Sequence, residues 1–169
     1  MKGVYCIRTI VEGVPDMADD FSTDNMLDMY LYENGQLLEQ LEEIVLENKD
    51  EDSFDENNIN EIFRIMHTIK GSSGVMKYDD IMKTSHKLED IFYFLRENRN
   101  VEEHHMELTE IIFRVLDFIN GEMDKIKDGN DPDGDSSELI AGMEKFLAGL
   151  KDNKQAPQED KQQEKEESK

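Results

Sequence analysis

Apolar residues recur every three or four positions through five successive stretches of this chain, and each recurrence predicts an amphipathic helix. In the first, Leu27, Tyr30/Leu31, Leu37/Leu38, Leu41 and Ile44/Val45 share a face to about Asn48, with Ser22, Thr23 and Asp24 as N-cap candidates. Asn58 and Glu61 have the spacing of a capping box and open a second helix near Ile59 that carries to about Met76. The turn Lys77-Tyr78-Asp79-Asp80 ends in a cap, and a third helix follows from Ile81 to about Glu97 with Ile81, Ser85, Leu88, Phe92 and Leu95 inward. A second capping box, Asn100 and Glu103, introduces a fourth repeat of Leu108, Ile112, Val115, Ile119 and Ile126. After a loop over 129–135, Asp135 and Glu138 start a fifth helix packed through Leu139, Ile140, Met143, Phe146/Leu147 and Leu150. Four helices with short connections predict an all-α fold, an up-down antiparallel four-helix bundle, to which the fifth C-terminal helix is added.

The ends of the chain lack this repeat. Residues 1–20 have mixed character and a break at Pro15-Asp16, and they read as a disordered N-terminal extension, with Met17 a fresh start just before the helical pattern. From Lys151 onward only Ala156 is apolar, so 151–169 reads as a disordered charged linker and 21–150 as the folded domain. A trailing linker suggests the front piece of a longer protein.

Charge narrows the choice of partner. Nineteen Lys+Arg against 41 Asp+Glu give a formal net charge of -22, which sets the chain against nucleic-acid phosphates and anionic membranes. All but one of the charged residues between Asp19 and Asn60 are acidic, Lys49 being the exception, which reads as a solvated helix face. A single cysteine, Cys6, can form no intramolecular disulfide. The apolar run Val4–Val11 is short and interrupted by Arg8, so it is neither signal peptide nor membrane span, and a cytoplasmic monomer is expected.

The second helix carries the chemistry. At helical spacing Ile59, Ile62, Phe63, Met66, Ile69 and Ser73 make its apolar face, whereas Asn60, Arg64, His67, Gly71 and Gly74 fall on another. His67 is therefore predicted to point to solvent. Glycine inside a helix costs about 1 kcal/mol relative to alanine, yet two follow the histidine on its own side, as they would where something large must approach the imidazole. Lys70, one turn on, sets a cation beside the ring.

In Phe63-Arg-Ile-Met-His67-Thr-Ile-Lys70-Gly71-Ser-Ser-Gly74, together with Ser85-His86-Lys-Leu-Glu89-Asp90 on the next helix, the sequence resembles the histidine phosphotransfer (HPt) domain family, and most closely the amino-terminal domains of chemotaxis histidine kinases of the CheA type. Tyr32-Glu-Asn34 through Leu37-Leu38 to Leu41-Glu42 also fits the family's first helix, and the resemblance covers about residues 24–150. It implies that His67 is the phosphoryl acceptor, with Glu89 orienting it and Lys70 and His86 in support. It also implies a separate ATP-binding kinase domain as donor and response-regulator receiver domains, CheY-like or CheB-like, as acceptors. No kinase nucleotide motif occurs in the 169 residues, so ATP and magnesium belong to the partner domains and no cofactor is expected in this chain. Arg64, Gly71 and Gly74 are the expected partner-docking positions. A freestanding phosphorelay HPt protein and a non-catalytic helical interaction bundle remain as alternatives.

The chemistry suits the residue. A neutral imidazole is nucleophilic near pH 7, and a carboxylate accepting from Nδ1–H leaves the Nε2 lone pair outward for attack. Other patterns fail on detail. Gly71-Ser-Ser-Gly74 lacks the Gly-Lys-Ser/Thr ending of a phosphate-binding loop and lies within a helix. Asp131, Asp133 and Asp135 suggest a calcium loop, but Ser136 and Gly142 stand where its glycine and glutamate belong. Adjacent His104 and His105 splay about 100° apart on a helix, so no metal site is expected.

Overall fold

A computed structural model of the chain describes residues 17–98 and 104–155. It contains five α-helices, α1 Met17–Asn48, α2 Glu56–Met76, α3 Asp79–Glu97, α4 His105–Lys127 and α5 Ser137–Gln155. Among the described residues α1 packs on α2 and α4, and α3 packs on α2, α4 and α5, so the first four close a ring of neighbours and α5 lies outside it. The fold is the predicted helical bundle with an added fifth helix.

The periodic residues form one core. Leu38, Leu41 and Val45 of α1 meet Ile62, Ile65, Met66 and Ile69 of α2, Leu88, Ile91 and Phe92 of α3, and Ile112, Val115 and Ile119 of α4. Met143, Phe146, Leu147 and Leu150 fix α5 to this core. Burying side chains of this size contributes roughly 1.5–3 kcal/mol each before the loss of chain entropy is set against it. Among the described residues no helix is long and apolar enough to cross a membrane.

Helix ends depart from expectation more than helix faces do. α1 starts at Met17, so Ser22, Thr23 and Asp24 lie inside it rather than capping it; nothing between Met17 and Asp24 breaks a helix, and the nearest proline upstream is Pro15. α2 is capped by Asp55, whose Oδ1 accepts from Asn58 N at 2.7 Å, and not by an Asn58–Glu61 box. Asn58 and Glu61 are instead spent on α1, to Asn48 at 3.0 Å and Gln40 at 2.9 Å. α3 begins at Asp79 with Tyr78 at its N-cap, and Asp80 accepts from Ser136 Oγ at 2.7 Å instead of capping. α5 runs on to Gln155, five residues past Leu150, because no glycine or proline interrupts Lys151–Gln155. The expected N-terminal extension up to residue 16, with Cys6, the Asn100–Glu103 box and the charged linker from 156 lie outside the described residues.

Two local devices fix one end of the bundle. α2 stops at Lys77, a left-handed residue at φ 61°, with Tyr78 N donating to Ser73 O at 2.9 Å. At the same end of the bundle, Glu122 of α4 is buried with its carboxylate between Lys125 Nζ at 2.7 Å and Gly134 N at 2.9 Å. Lys125 also reaches Asp133 at 2.8 Å, which closes the loop from α4 to α5.

A Cβ at Gly134 would lie 2.6 Å from Glu122 Cδ and 3.0 Å from Phe118 Cε2, so the residue is glycine for closeness rather than for dihedral freedom. Gly134→Ala should push the buried carboxylate off its partners and cost about 1–3 kcal/mol, the penalty for an unsatisfied buried polar group. Thermal unfolding of the variant checks this, and an unchanged melting temperature would mean that Glu122 swings aside freely.

Candidate functional site

The site lies along the seam of α2 and α3, the most closely associated pair of helices. His67 Nδ1 stands 2.7 Å from Glu89 Oε1, and Phe63 faces Tyr93 with ring centroids 6.4 Å apart, so the antiparallel register is set over more than one turn. His67 is on the open side, its side chain 62% exposed, while the Glu89 side chain is only 9% exposed. Ile62, Ile65, Met66, Ile69 and Ser73 supply the buried face of α2. The outward histidine and inward carboxylate follow from those two helical stripes.

Glu89 has a second partner. Lys70 Nζ lies 2.6 Å from its other oxygen, Oε2, so the sequence-adjacent cation is engaged by the carboxylate rather than by the ring itself. Burial alone would raise the Glu89 pKa, but the hydrogen bonds from Lys70 and then His67, with their charges, outweigh it and hold the group below its ordinary value. An ionised carboxylate can only accept. Nδ1 of His67 must therefore donate the hydrogen bond, and in the neutral ring the lone pair is on Nε2, on the exposed side.

His86 does not join this network. Its ring is 58% exposed and its Nε2 lies 3.6 Å from Asp90 Oδ1, one turn on along α3, so the support expected of it for His67 is not a direct contact in this structure. The register that sets Glu89 opposite His67 brings His86 level with Lys70. Arg64 is exposed, 3.2 Å from Glu61 Oε2 one turn earlier. Gly71 and Gly74 are both exposed, and a Cβ at Gly71 would meet nothing within 4 Å, whereas one at Gly74 would make an ordinary 3.4 Å contact with Met82 Sδ.

Behind the glycines a polar seam ties α2 to α1. Ser72 Oγ donates to Asn34 Oδ1 at 2.9 Å, and Tyr30 Oη and Ser73 Oγ are 3.0 Å apart. Burial pushes the Tyr30 hydroxyl up to about 12, so it remains a phenol at any physiological pH. Sequence reasoning did not single out this seam, and it placed Phe63 on the core face of α2 rather than beside the His67 ring. The clue to the seam was present, since Ser72 and Ser73 on a helix otherwise apolar at that level need partners. Among the described residues no group of three or more His, Cys, Asp or Glu is placed to hold a metal ion.

A carboxyl whose folded-state pKa is depressed stabilises the fold above its unfolded value and loses that contribution as the pH falls through the folded value. The difference in melting temperature between wild type and Glu89→Gln should thus be widest at neutral pH and shrink below the ordinary carboxyl value of 4.5. Melts of both proteins between pH 3 and pH 7 on the same buffers would check it; a difference independent of pH would mean that the carboxylate carries no stabilising charge (all values being about those of ordinary carboxyl titration).

Comparison with known proteins agrees with this geometry. The Hpt domain family model matches residues 25–128, which contain α2, α3 and α4 whole and all of α1 but its first eight residues. The chain is similar to a protein named chemotaxis protein CheA from Listeria monocytogenes, at 30% identity over 125 residues, 74% of this chain and 20% of that one. Proteins of the same name from Bacillus subtilis, 31% identical over 70% of this chain and 17% of theirs, and from Salmonella typhimurium, 28% identical over 79% and 18%, are similar over the same part. The chain spans about a fifth of the length of these relatives. With a family model covering most of the bundle, and an exposed histidine braced by a buried carboxylate at its centre, this chain belongs to the Hpt domain family.

Proposed function

We propose that this chain is the phosphotransfer module of a CheA-like chemotaxis histidine kinase and that His67 is its phosphoryl acceptor. Nε2 of His67 attacks the γ-phosphorus of ATP held on a separate kinase domain, the bond from phosphorus to the ADP oxygen breaks, and a phosphorus–nitrogen bond forms. An aspartate of a response-regulator receiver then attacks phosphorus, and the P–N bonding pair returns to Nε2. The single observation that carries this reading is the exposed imidazole whose Nδ1 donates to an ionised, buried carboxylate at 2.7 Å.

Each neighbouring residue has a part in that cycle. Glu89 orients the ring and stabilises the positive charge that the imidazole gains as Nε2 bonds to phosphorus. Lys70 neutralises the other oxygen of Glu89, which limits the negative field that an incoming phosphoryl group must meet. His86, exposed and level with Lys70, is assigned to the approaching phosphoryl group rather than to the ring. Arg64, Gly71 and Gly74 form the ground on which kinase and receiver dock, and CheY-like and CheB-like receivers are the proposed acceptors. The fragment acts as a monomer in the cytoplasm, where ATP is available, and it binds neither nucleic acid nor membrane.

Labelled ATP and an excised CheA-type ATP-binding domain should transfer acid-labile phosphate to the wild type and none to His67→Gln. Because the glutamine amide can still donate to Glu89 and Lys70 keeps the other oxygen, that variant should melt within about 1 kcal/mol of wild type. Label retained on the variant would move the acceptor elsewhere.

Gly71 separates docking from stability. With nothing within 4 Å of a Cβ there, Gly71→Arg should keep or raise the stability, by up to about 1 kcal/mol from helix propensity. Its side chain would stand one turn from His67 on the same face, so transfer from the kinase domain and to a receiver should both slow. Single-turnover transfer with a parallel thermal melt tests this, and normal transfer would remove Gly71 from the docking face.

A further inference from the structure

One hydrogen bond fixes one atom of a ring and leaves its plane free to turn. The Glu89 contact selects the His67 tautomer, but with 62% of the side chain exposed, little else in the core holds the direction in which Nε2 points. A second contact exists. The Phe63 ring, one turn earlier on α2, lies nearly parallel to the imidazole at 20°, with centroids 6.1 Å apart, within the range of offset stacking.

Phe63 is itself only half-buried, and it is held from α3. The Arg96 guanidinium lies 4.4 Å from the centre of the Phe63 ring and 5.2 Å from that of Tyr93, and the two rings are 6.4 Å apart. Arg96 Nε also lies 3.5 Å from Glu97 Oε1, and the arginine side chain is about one-third exposed, at 34%. Glu89, Tyr93 and Arg96 are spaced by four and three residues, one stripe of α3, opposite the stripe of Phe63, His67 and Lys70 on α2. The imidazole is thus contacted at two places by the same helix pair: directly at Nδ1 by Glu89, and on its ring through Phe63 by Arg96.

We propose that Phe63, kept in place by Arg96, is a positioning residue that fixes the plane of the His67 imidazole, while Glu89 fixes its tautomer. The inference rests on the reading of His67 as phosphoryl acceptor and adds two residues to it. Arg96 acts through Phe63 and not on the phosphoryl group. A misdirected nucleophile loses rate in the chemical step, whereas a damaged docking face loses affinity for the partner, and the two are separable in kcat and KM.

The experiment uses the whole chain, an excised CheA-type ATP-binding domain and labelled ATP, with proton NMR on the same samples. Phe63→Leu, which keeps an apolar side chain but removes the flat ring, should lower kcat by roughly 10- to 100-fold with KM unchanged. Phe63→Tyr should restore it. Arg96→Gln, a change at a partly exposed position that leaves Phe63 intact, should lower kcat by about two- to fivefold, the worth of an exposed cation–π contact. In that variant the nuclear Overhauser signal between the Phe63 and His67 rings should weaken, while the Nδ1–H tautomer persists. A merely structural role would lower the melting temperature and leave that signal unchanged among folded molecules. Wild-type kcat in Phe63→Leu, or an unaltered ring-to-ring signal in Arg96→Gln, overturns the inference. No label on the wild type would instead sink the acceptor reading, and the ring-to-ring signal alone would then decide whether Arg96 holds the stack.

Discussion

A buried carboxylate must be paid for in partners, and Glu89 has two, His67 on one oxygen and Lys70 on the other. Leaving a charge of this kind without them would cost several kcal/mol, so the interaction dictates how α2 and α3 can be set against each other. Sliding α3 by one turn would strand the carboxylate and separate Phe63 from Tyr93 and Arg96 as well. The close packing of Ile62, Met66 and Ile69 against Leu88 and Phe92 supplies the energy, but apolar contacts of this size are tolerant of register. The polar group supplies the choice. Chemistry and fold are thus coupled at one residue, for the same contact that aligns the helices also determines which nitrogen of His67 faces outward.

That coupling explains what could be read from the residues alone. Faces were legible because burial follows from the period of a single helix: Ile81, Ser85, Leu88, Phe92 and Leu95 were expected inward and are all buried. The exposure of His67 was legible for the same reason. Helix starts were not, because Asp55 and Asn58 both have capping chemistry three residues apart, and the choice between them is made by α1, which draws Asn58 to Asn48. Ile65 was missed as a core residue because the apolar stripe of α2 is wider than the face first assigned to it. His86 was expected to support His67, yet its ring stands beside Asp90 one turn on along α3, a choice that depends on side-chain direction and not on spacing. Phe63 was assigned to the core face and proved to be shared between core and site, and nothing in the spacing of α2 could announce Arg96, which depends on the register of another helix.

The net charge of -22 gives the site a particular setting. Lys70, Arg64, Arg96 and Lys87 all lie on α2 or α3, whereas the exposed surface of α1 is acidic through Glu33, Glu39, Glu42, Glu43 and Glu47. Over distances beyond about 8–10 Å the field at physiological salt is screened, so an approaching domain responds to the local cations more than to the total. An anionic molecule such as a nucleotide is repelled by the chain as a whole, and the cations near the histidine are each paired with a carboxylate, Lys70 with Glu89, Arg64 with Glu61 and Arg96 with Glu97. On the proposed reading, that repulsion matters little to a phosphoryl group delivered on another domain.

Of the five helices, α3 and α4 each touch three others, and α3, which meets α2, α4 and α5, shares with α2 the most extensive contact between helices. Local opening in proteins begins where few buried contacts must be given up, at termini and outer elements, and reaches such a central helix only when the whole domain unfolds. The residue that holds the imidazole is therefore mounted on one of the two most widely contacted helices. Amide exchange around Glu89 would then run on the clock of global unfolding. To any domain that docks, the histidine is a fixed target, and whatever adjustment the encounter requires must be made by the visitor.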